Sequence, residues 1–574
     1  MYNWDKNNFQ PRIAVAWSPD GGDGLWGHIL GKGSTSVIRG GFAMTNDYYG
    51  QALAVDWDLN NTLGFTSNFT NHANTFDVTT DNKPLGPLFT GFGQDVRGLI
   101  GTAGGTVPGS LQFPLEATSL NGDTEFGERI EQSLDSDLHA PTQYVWNLTL
   151  ERTLPKGSVF SMSYIGRMGR SLLAHRDVAQ FNDLHDKASG LDWYQAGTAL
   201  EKLRQKGTDI NAVPGLLDAK VNQYFDNAFP AGMVQIMGDY DGLDYDPTWS
   251  NAQAFYGLYQ SNDFFEANDW TDVQAEADLA LAFNGLPTRF MQPQYGALST
   301  WSTIGNANYH ALAVSFRQRI NSLILDFNYT WSHSLDDASG LQSETGFGNF
   351  QANGSFIPNS NRQRDNYASS DFDVRHSINA DAVWQLPFGR GHAFGSSMGR
   401  GADAILGGWQ ISGIFRWNTG LPAFTPIDDG RWANNWNVQS FVTPTSPVRT
   451  CPTRLENGTP KLFGSCDTTK VYQSFRNAYP GETGPRNIFR YPGYVDLDLG
   501  LGKTWKMPWN ENHQLQFRWD VFNVTNTQRL TGSADVGVAA DPALNGITPP
   551  ADWYNFTAIQ GQPRIMQIGM RYSF

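Results

Sequence analysis

The 574 residues carry 56 acidic against 40 basic side chains, a net charge of −16 that argues against nucleic acid, because phosphate binding needs a basic surface. Charged residues are 17% of the chain, below the usual quarter or so of a globular domain, and its length suits several ordinary domains or one very large β structure. No apolar run reaches the roughly 18 residues of a membrane-crossing helix, and the opening stretch MYNWDKNNFQPR lacks the basic-then-apolar pattern of a signal peptide.

In chain order, PRIAVAWS and TSVIRGGFAM are the first two segments of alternating character. YVWNLTLER and SVFSMSYIGR follow the same rule. YHALAVSFRQR sets Leu312, Val314 and Phe316 against Ser315 and Arg317. LILDFNYTWSH sets Leu323, Leu325, Phe327, Tyr329 and Trp331 against Asp326, Asn328, Thr330 and Ser332. HSINADAVWQLPF and WQISGIFRWNTG alternate likewise. YVDLDLGLGKTW and HQLQFRWDVFNV do the same, and the chain stops on RIMQIGMRYSF. Period-two alternation marks strands with one apolar and one wet face, so the sequence predicts eleven strands.

Each is about ten residues long, enough to cross a bilayer at a tilt. Trp331, Trp417, Trp505 and Tyr572 stand near strand ends, where amphipathic rings favour a membrane–water boundary. The connections alternate in length. The short ones include PKG, NS and PWNEN. The longer glycine-rich DGGDGLWGHILGKG and GRGHAFGSSMGRGADAILGG fall on the same side. The long ones run Tyr49–Thr142, Ser171–Asn308, Leu335–Arg375, Thr425–Gly493 and Thr527–Pro563. Outer-membrane barrels sort their loops this way, with short periplasmic turns and long external loops. The predicted fold class is therefore all-β, an antiparallel transmembrane β-barrel, with the 171–308 loop as a large extracellular subdomain. Single-chain bacterial barrels have even strand counts. Eleven strands are read as the C-terminal half of a barrel of about 22, with plug and signal peptide absent from this sequence.

Several stretches, in this order, resemble TonB-dependent outer-membrane receptors of the Oar-like group. They are NNFQPRIAVAWSPDG…STSVIRGGFAM, VWNLTLERTLPKGSVFSMSYIGRMGRSLL, NYHALAVSFRQRI…LDFNYTWSHSLDDASG, SDFDVRHSINADAVWQLPFGRG, GGWQISGIFRWNTGLPAF and LQFRWDVFNVTNTQ. The resemblance implies a plugged barrel in the bacterial outer membrane, coupled to TonB through an N-terminal plug region that is missing here. It implies outer-membrane lipid and the barrel assembly machinery as partners, with Phe574 as the terminal aromatic assembly signal. It implies no enzyme activity and no cofactor.

The richest loop stretch, Met237 to Ala280, holds ten acidic residues and no Lys or Arg between Asp239 and Asp278. Trp249, Phe255, Tyr256, Tyr259, Phe264, Phe265 and Trp270 are interleaved with them. Aromatic faces beside carboxylates suit sugar rings, cationic peptides or Ca²⁺. Trp249, Tyr256, Tyr259, Trp270, Asp244 and Asp246 are the candidate substrate-binding residues. The competing reading is that a loop of this size needs a core of its own and these aromatics build it. DYDGLDYD has acidic spacing but lacks the Glu of a complete EF-hand loop, so no metal site is assigned. LDWYQAGTALEKLRQKG reads as a helix, with Leu191, Ala196, Leu200 and Leu203 near one face. The two cysteines, Cys451 and Cys466, read as a disulfide closing an exported loop. Asp326, Arg416, Asp496, Asp498, Arg518 and Asp520 fall on the wet faces of their strands. In SDFDVRH nothing makes Ser370 an elbow nucleophile. Two functions stand: TonB-coupled uptake of a bulky nutrient (glycan, peptide or chelate), or surface binding and adhesion with the barrel as anchor. A secreted glycoside hydrolase lacks a recognisable carboxylate pair.

Overall fold

The computed structural model describes residues 6–33, 35–47, 130–242, 244–261, 270–291, 297–320, 322–339, 356–431, 439–453, 459–538 and 542–574. Most of the first long connection, and Phe264 and Phe265, lie outside them.

Eleven strands form one continuous path in chain order. They are β1 (Arg12–Trp17), β2 (Ser36–Asn46), β3 (Thr142–Thr153), β4 (Val159–Asp177), β5 (Ala297–Ile320), β6 (Leu323–Asp336), β7 (His376–Gln385), β8 (Trp409–Asn418), β9 (Tyr494–Met507), β10 (Asn510–Phe522) and β11 (Ile565–Ser573). Every neighbouring pair on the path is antiparallel. Among the described residues, β1 and β11 each pair with one neighbour and are the ends of the path.

Residues directly opposite each other in an antiparallel pair share a face, so the register can be read across the sheet. One row runs Trp17, Ile38, Leu150, Met162, Val314, Tyr329, Ile378, Trp417, Val495, apolar in every strand from β1 to β9. The neighbouring row on the other face runs Glu151, Ser161, Ser315, Asn328, Asn379, Arg416, Asp496. A one-residue slip in any pairing would interrupt both rows, so the side-chain pattern itself fixes register. The apolar face is open: Leu148, Trp331 and Ile568 keep 56%, 54% and 70% of their surface. An apolar sheet face of this extent needs lipid, not water, against it. On the polar face Arg317 donates to Asp326 at 2.9 Å, and Arg416 reaches Asp496 at 2.9 Å and Asp498 at 3.4 Å.

The short connections are built from local conformation. Between β3 and β4, Lys156 and Gly157 both take positive φ (66° and 77°), and the Leu154 amide donates to Ser158 at 2.7 Å. The β9–β10 turn is Pro508–Trp509, shorter than the PWNEN link expected, because the ladder continues through Asn510. A second difference is larger. The sequence placed the ends of β4 and β5 at Ser171 and Asn308, but they run to Asp177 and from Ala297. Register shifts at Gly169/Leu172 and Leu172/Ala174 break the alternation there, with Ser171 at φ 54°, while the ladder itself goes on. Bulges hide a strand from a period-two reading without ending it.

The long-loop end carries two packed cores. The first belongs to five helices, α1 (Trp193–Arg204), α2 (Ala219–Ala228), α3 (Met233–Asp241), α4 (Asn251–Ser261) and α5 (Trp270–Phe283). Trp193, Tyr224, Phe225, Phe255 and Trp270 fill it together with Phe290. The second gathers Phe441, Phe463, Tyr472, Phe489, Trp553 and Tyr554 from the last two long connections, with Cys451 packed against it. Cys451 and Cys466 form a disulfide.

Candidate functional site

The residues that organise the long-loop end start at the head of α1. Asp192 caps the helix: Gln195 donates its amide to the carboxylate at 2.7 Å, and the Gln195 side chain accepts the Asp192 amide at 3.2 Å. This reciprocal capping box satisfies two otherwise unpaired donors. It also fixes the next two residues. Trp193 points into the helical core, 4.8 Å from Phe290 and 5.5 Å from Phe255 between ring centres. Tyr194 points toward the loops. Its hydroxyl accepts from Gln180 and Asn361, each at 3.2 Å, and the Arg362 guanidinium lies 5.0 Å from its ring centre. Its ring also packs on Gly481, which has φ 75° and where a Cβ would overlap the ring. Tyr194 thus ties three segments distant in sequence to one point.

Beside it, Tyr479 is flanked by Lys202 at 5.4 Å and Arg476 at 3.8 Å from its ring centre. Arg476 holds Glu482 with both guanidinium nitrogens, at 2.8 and 2.9 Å. Burial works to raise the Glu482 pKa, but the Arg476 bonds and the Tyr479 amide leave it below its ordinary value. Two cavities flank Arg362. One, of about 420 Å³, is lined by Tyr194, Thr198, Lys202, Tyr479 and Glu482. The other, of about 740 Å³, is lined by Asp177, Gln180, Asp183, His185, Asp192 and Asn361 among others. Burial, and then the Asp192 charge, push the Asp183 carboxyl above its usual range.

These loops are clamped to the strands by buried ion pairs. Arg486, 7% exposed on its side chain, pairs with Asp336 at the end of β6 and reaches Asp371 at 3.3 Å. Arg490 pairs with Asp373, which also accepts the Ser334 amide at 2.7 Å. SDFDVRH is therefore a structural clamp. Ser370 serves it by hydrogen-bonding Ser334 at 2.8 Å.

The sequence-predicted binding residues lie elsewhere. Tyr256 is 1% exposed and donates its hydroxyl to the Thr208 carbonyl. Tyr259, 4% exposed, packs on Trp270 at 4.9 Å with Arg204 over its ring. Trp270 is 1% exposed and donates to Glu201 at 2.9 Å. These three rings are interior to the helical subdomain and present no face to a ligand, because five short helices need aromatic volume to close a core. Trp249 is half-buried against Tyr245. Asp244 is exposed, and Asp246 makes a local turn with Thr248. The residues that do meet at cavities, Asp183, His185, Tyr194, Arg362 and Tyr479, were not singled out. Asp183 and His185 had a faint signal in their spacing within DLHD. Arg362 had none, since it comes to Asp192 across 170 residues.

A family match places the fold. The model of the outer membrane beta barrel domain matches residues 1–567. The outer membrane transporter YddB from Escherichia coli is similar in structure at 10% identity and TM-score 0.34, over 98% of this chain and 40% of that one. The ferric-catecholate import receptor Fiu from E. coli K12 is similar at 7% and 0.30, over 98% and 34%. The FrpB iron transporter from Neisseria meningitidis is similar at 7% and 0.28, over 93% and 38%. The chain thus spans at most 40% of the length of these three structures. No curated protein matches. With a family match over nearly its whole length, a sheet apolar on one face and polar on the other, and long connections gathered at one end, the chain belongs to the outer membrane beta barrel domain family of the bacterial outer membrane.

Proposed function

We propose that this chain forms part of an outer-membrane receptor that takes up a bulky nutrient through a TonB-coupled barrel. The observation that carries the reading is the polar row from Glu151 to Asp496 backing an unbroken apolar row. A sheet of that kind, closed, is lipid-facing outside and hydrated inside. Among the described residues β1 and β11 are each paired on one side, and an open edge in lipid would leave unpaired backbone groups, so in this reading further strands complete the wall. This suits the C-terminal half of a larger barrel of the Oar-like group, with the plug and TonB contact supplied elsewhere. The long-loop end faces outward. Recognition falls to the cavities around Arg362, where Tyr479, Lys202 and Glu482 offer a ring and both charges to a glycan, peptide or chelate, with the buried Tyr194 bracing the wall. The chain has no catalytic role in this reading.

Accumulation of labelled oligosaccharide, oligopeptide and metal-chelate pools tests it, in cells with and without the protein and with or without a protonophore. The reading predicts protein-dependent accumulation of one class that collapses with the protonophore. Surface binding without accumulation contradicts it and favours an adhesin anchored by the barrel.

A further inference from the structure

Between the end of β4 and the start of α1, the chain folds back on itself. Asp186 donates its amide to the Leu191 carbonyl at 2.9 Å, and Gly190 donates to the Asp186 carbonyl at 2.9 Å. The Asp186 carboxylate accepts the Ala188 and Ser189 amides at 3.1 and 2.8 Å and the Asn227 side chain at 3.0 Å. This reversal brings Asp183 and His185 against Asp192, the cap of α1. One ligand atom from each of the three lies within 4.8 Å of the others. Among the described residues, no other group of three His, Cys, Asp or Glu side chains converges this way.

The cavity holds two guanidinium groups, Arg362 beside Asp192 and Arg176 paired with Asp135. The Asp183 and Asp192 side chains are each 11% exposed. The cation nearest Asp192 is Arg362, at 3.5 Å, and His185 stands 3.7 Å from Asp183. A third carboxylate lines the same cavity. Asp177 is fully buried, and its Oδ1 accepts the Ala179 and Leu298 amides at 2.8 and 2.9 Å. Its Oδ2, equally buried, has no hydrogen-bond partner. A buried carboxyl oxygen without a partner is costly, and either a proton or a cation in the cavity relieves that cost. One imidazole and two carboxylates match the borderline donor set of Zn²⁺ and its first-row neighbours, whereas Ca²⁺ takes six or more oxygen ligands.

We propose that Asp183, His185 and Asp192 form a binding site for a divalent first-row transition-metal cation, with Asp177 in the wall of its cavity. Three protein ligands leave coordination positions open toward the cavity. The site does not depend on the uptake reading, since it is built within one loop and one helix cap. Calorimetric titration of the full chain in detergent micelles with ZnCl₂ tests it, alongside His185→Ala, Asp183→Asn and a CaCl₂ titration. His185 is largely exposed, so its removal leaves the fold intact, which circular dichroism verifies. The expected result is one saturable Zn²⁺ site, weakened at least ~10-fold by either substitution and not displaced by equimolar Ca²⁺. Absence of saturable binding, binding by both variants as tight as by the native chain, or displacement by Ca²⁺ overturns the proposal.

Discussion

Asp278 shows how far a single buried group departs from its behaviour in water. It is fully buried on α5, and its carboxylate takes the Arg289, Phe290 and Met291 amides at 2.8, 2.8 and 2.7 Å. Burial pushes its pKa up to about 6, and the three amides pull it back only in part. The folded chain therefore holds a proton on Asp278 that the unfolded chain has released. That contribution to stability is complete below an ordinary carboxylate value, near pH 4, and is lost as pH rises through about 6. The loss amounts to about 3 kcal/mol, because each tenfold change in proton affinity corresponds to roughly 1.4 kcal/mol. Asn at this position does not titrate. Urea unfolding followed by tryptophan fluorescence is expected to show the helical subdomain weakening between pH 4 and 7 in the native chain. Asp278→Asn flattens that slope. An identical slope in both chains would remove Asp278 from the account.

Loops and strands are joined by a few buried contacts, and these set the strength of each element. Arg486 is buried against Asp336, so Arg486→Ala strands a carboxylate that is itself 4% exposed. The expected cost is about 3–5 kcal/mol, as for other buried pairs broken on one side. It should fall on the docking of the 422–493 connection rather than on the strands. Hydrogen exchange separates the two: protection is lost around Phe489 and kept in β8 and β9. The disulfide acts on the same connection from within. Cys451 and Cys466 are 15 residues apart, and a loop of that size gains about 3 kcal/mol from closure. Reduction, or Cys451→Ser with Cys466→Ser, is expected to expose the core around Phe463 and Trp553 to protease. Unchanged cleavage would show that the aromatic packing holds without the bond.

Across the whole molecule, the parts legible in the sequence are those where one physical boundary repeats. Each long strand has one face toward lipid and one toward water, so period two survives in Leu323–Trp331 or Val495–Leu501 whatever else is nearby. The extensions of β4 and β5 were hidden because bulges shift that period. The α1 helix was legible from Leu200 and Leu203, both now buried. The aromatics of 249–270 were ambiguous because a ligand platform and a small core need the same residues. Only the fold shows Trp270 and Tyr256 turned inward. The cavities around Arg362 were beyond sequence reading, because long connections from separate parts of the chain build them.

The central claim is that this sheet crosses the outer membrane with its long connections outside and its short turns in the periplasm. Labelling intact cells with a membrane-impermeant maleimide tests it most directly. Lys187→Cys lies exposed at the long-loop end and Asn512→Cys is exposed beside the β9–β10 turn. The native cysteines are held in their disulfide and do not react. The account predicts that Lys187→Cys labels on intact cells and Asn512→Cys only after the outer membrane is permeabilised. Labelling of Asn512→Cys on intact cells, with Lys187→Cys protected until permeabilisation, would contradict it.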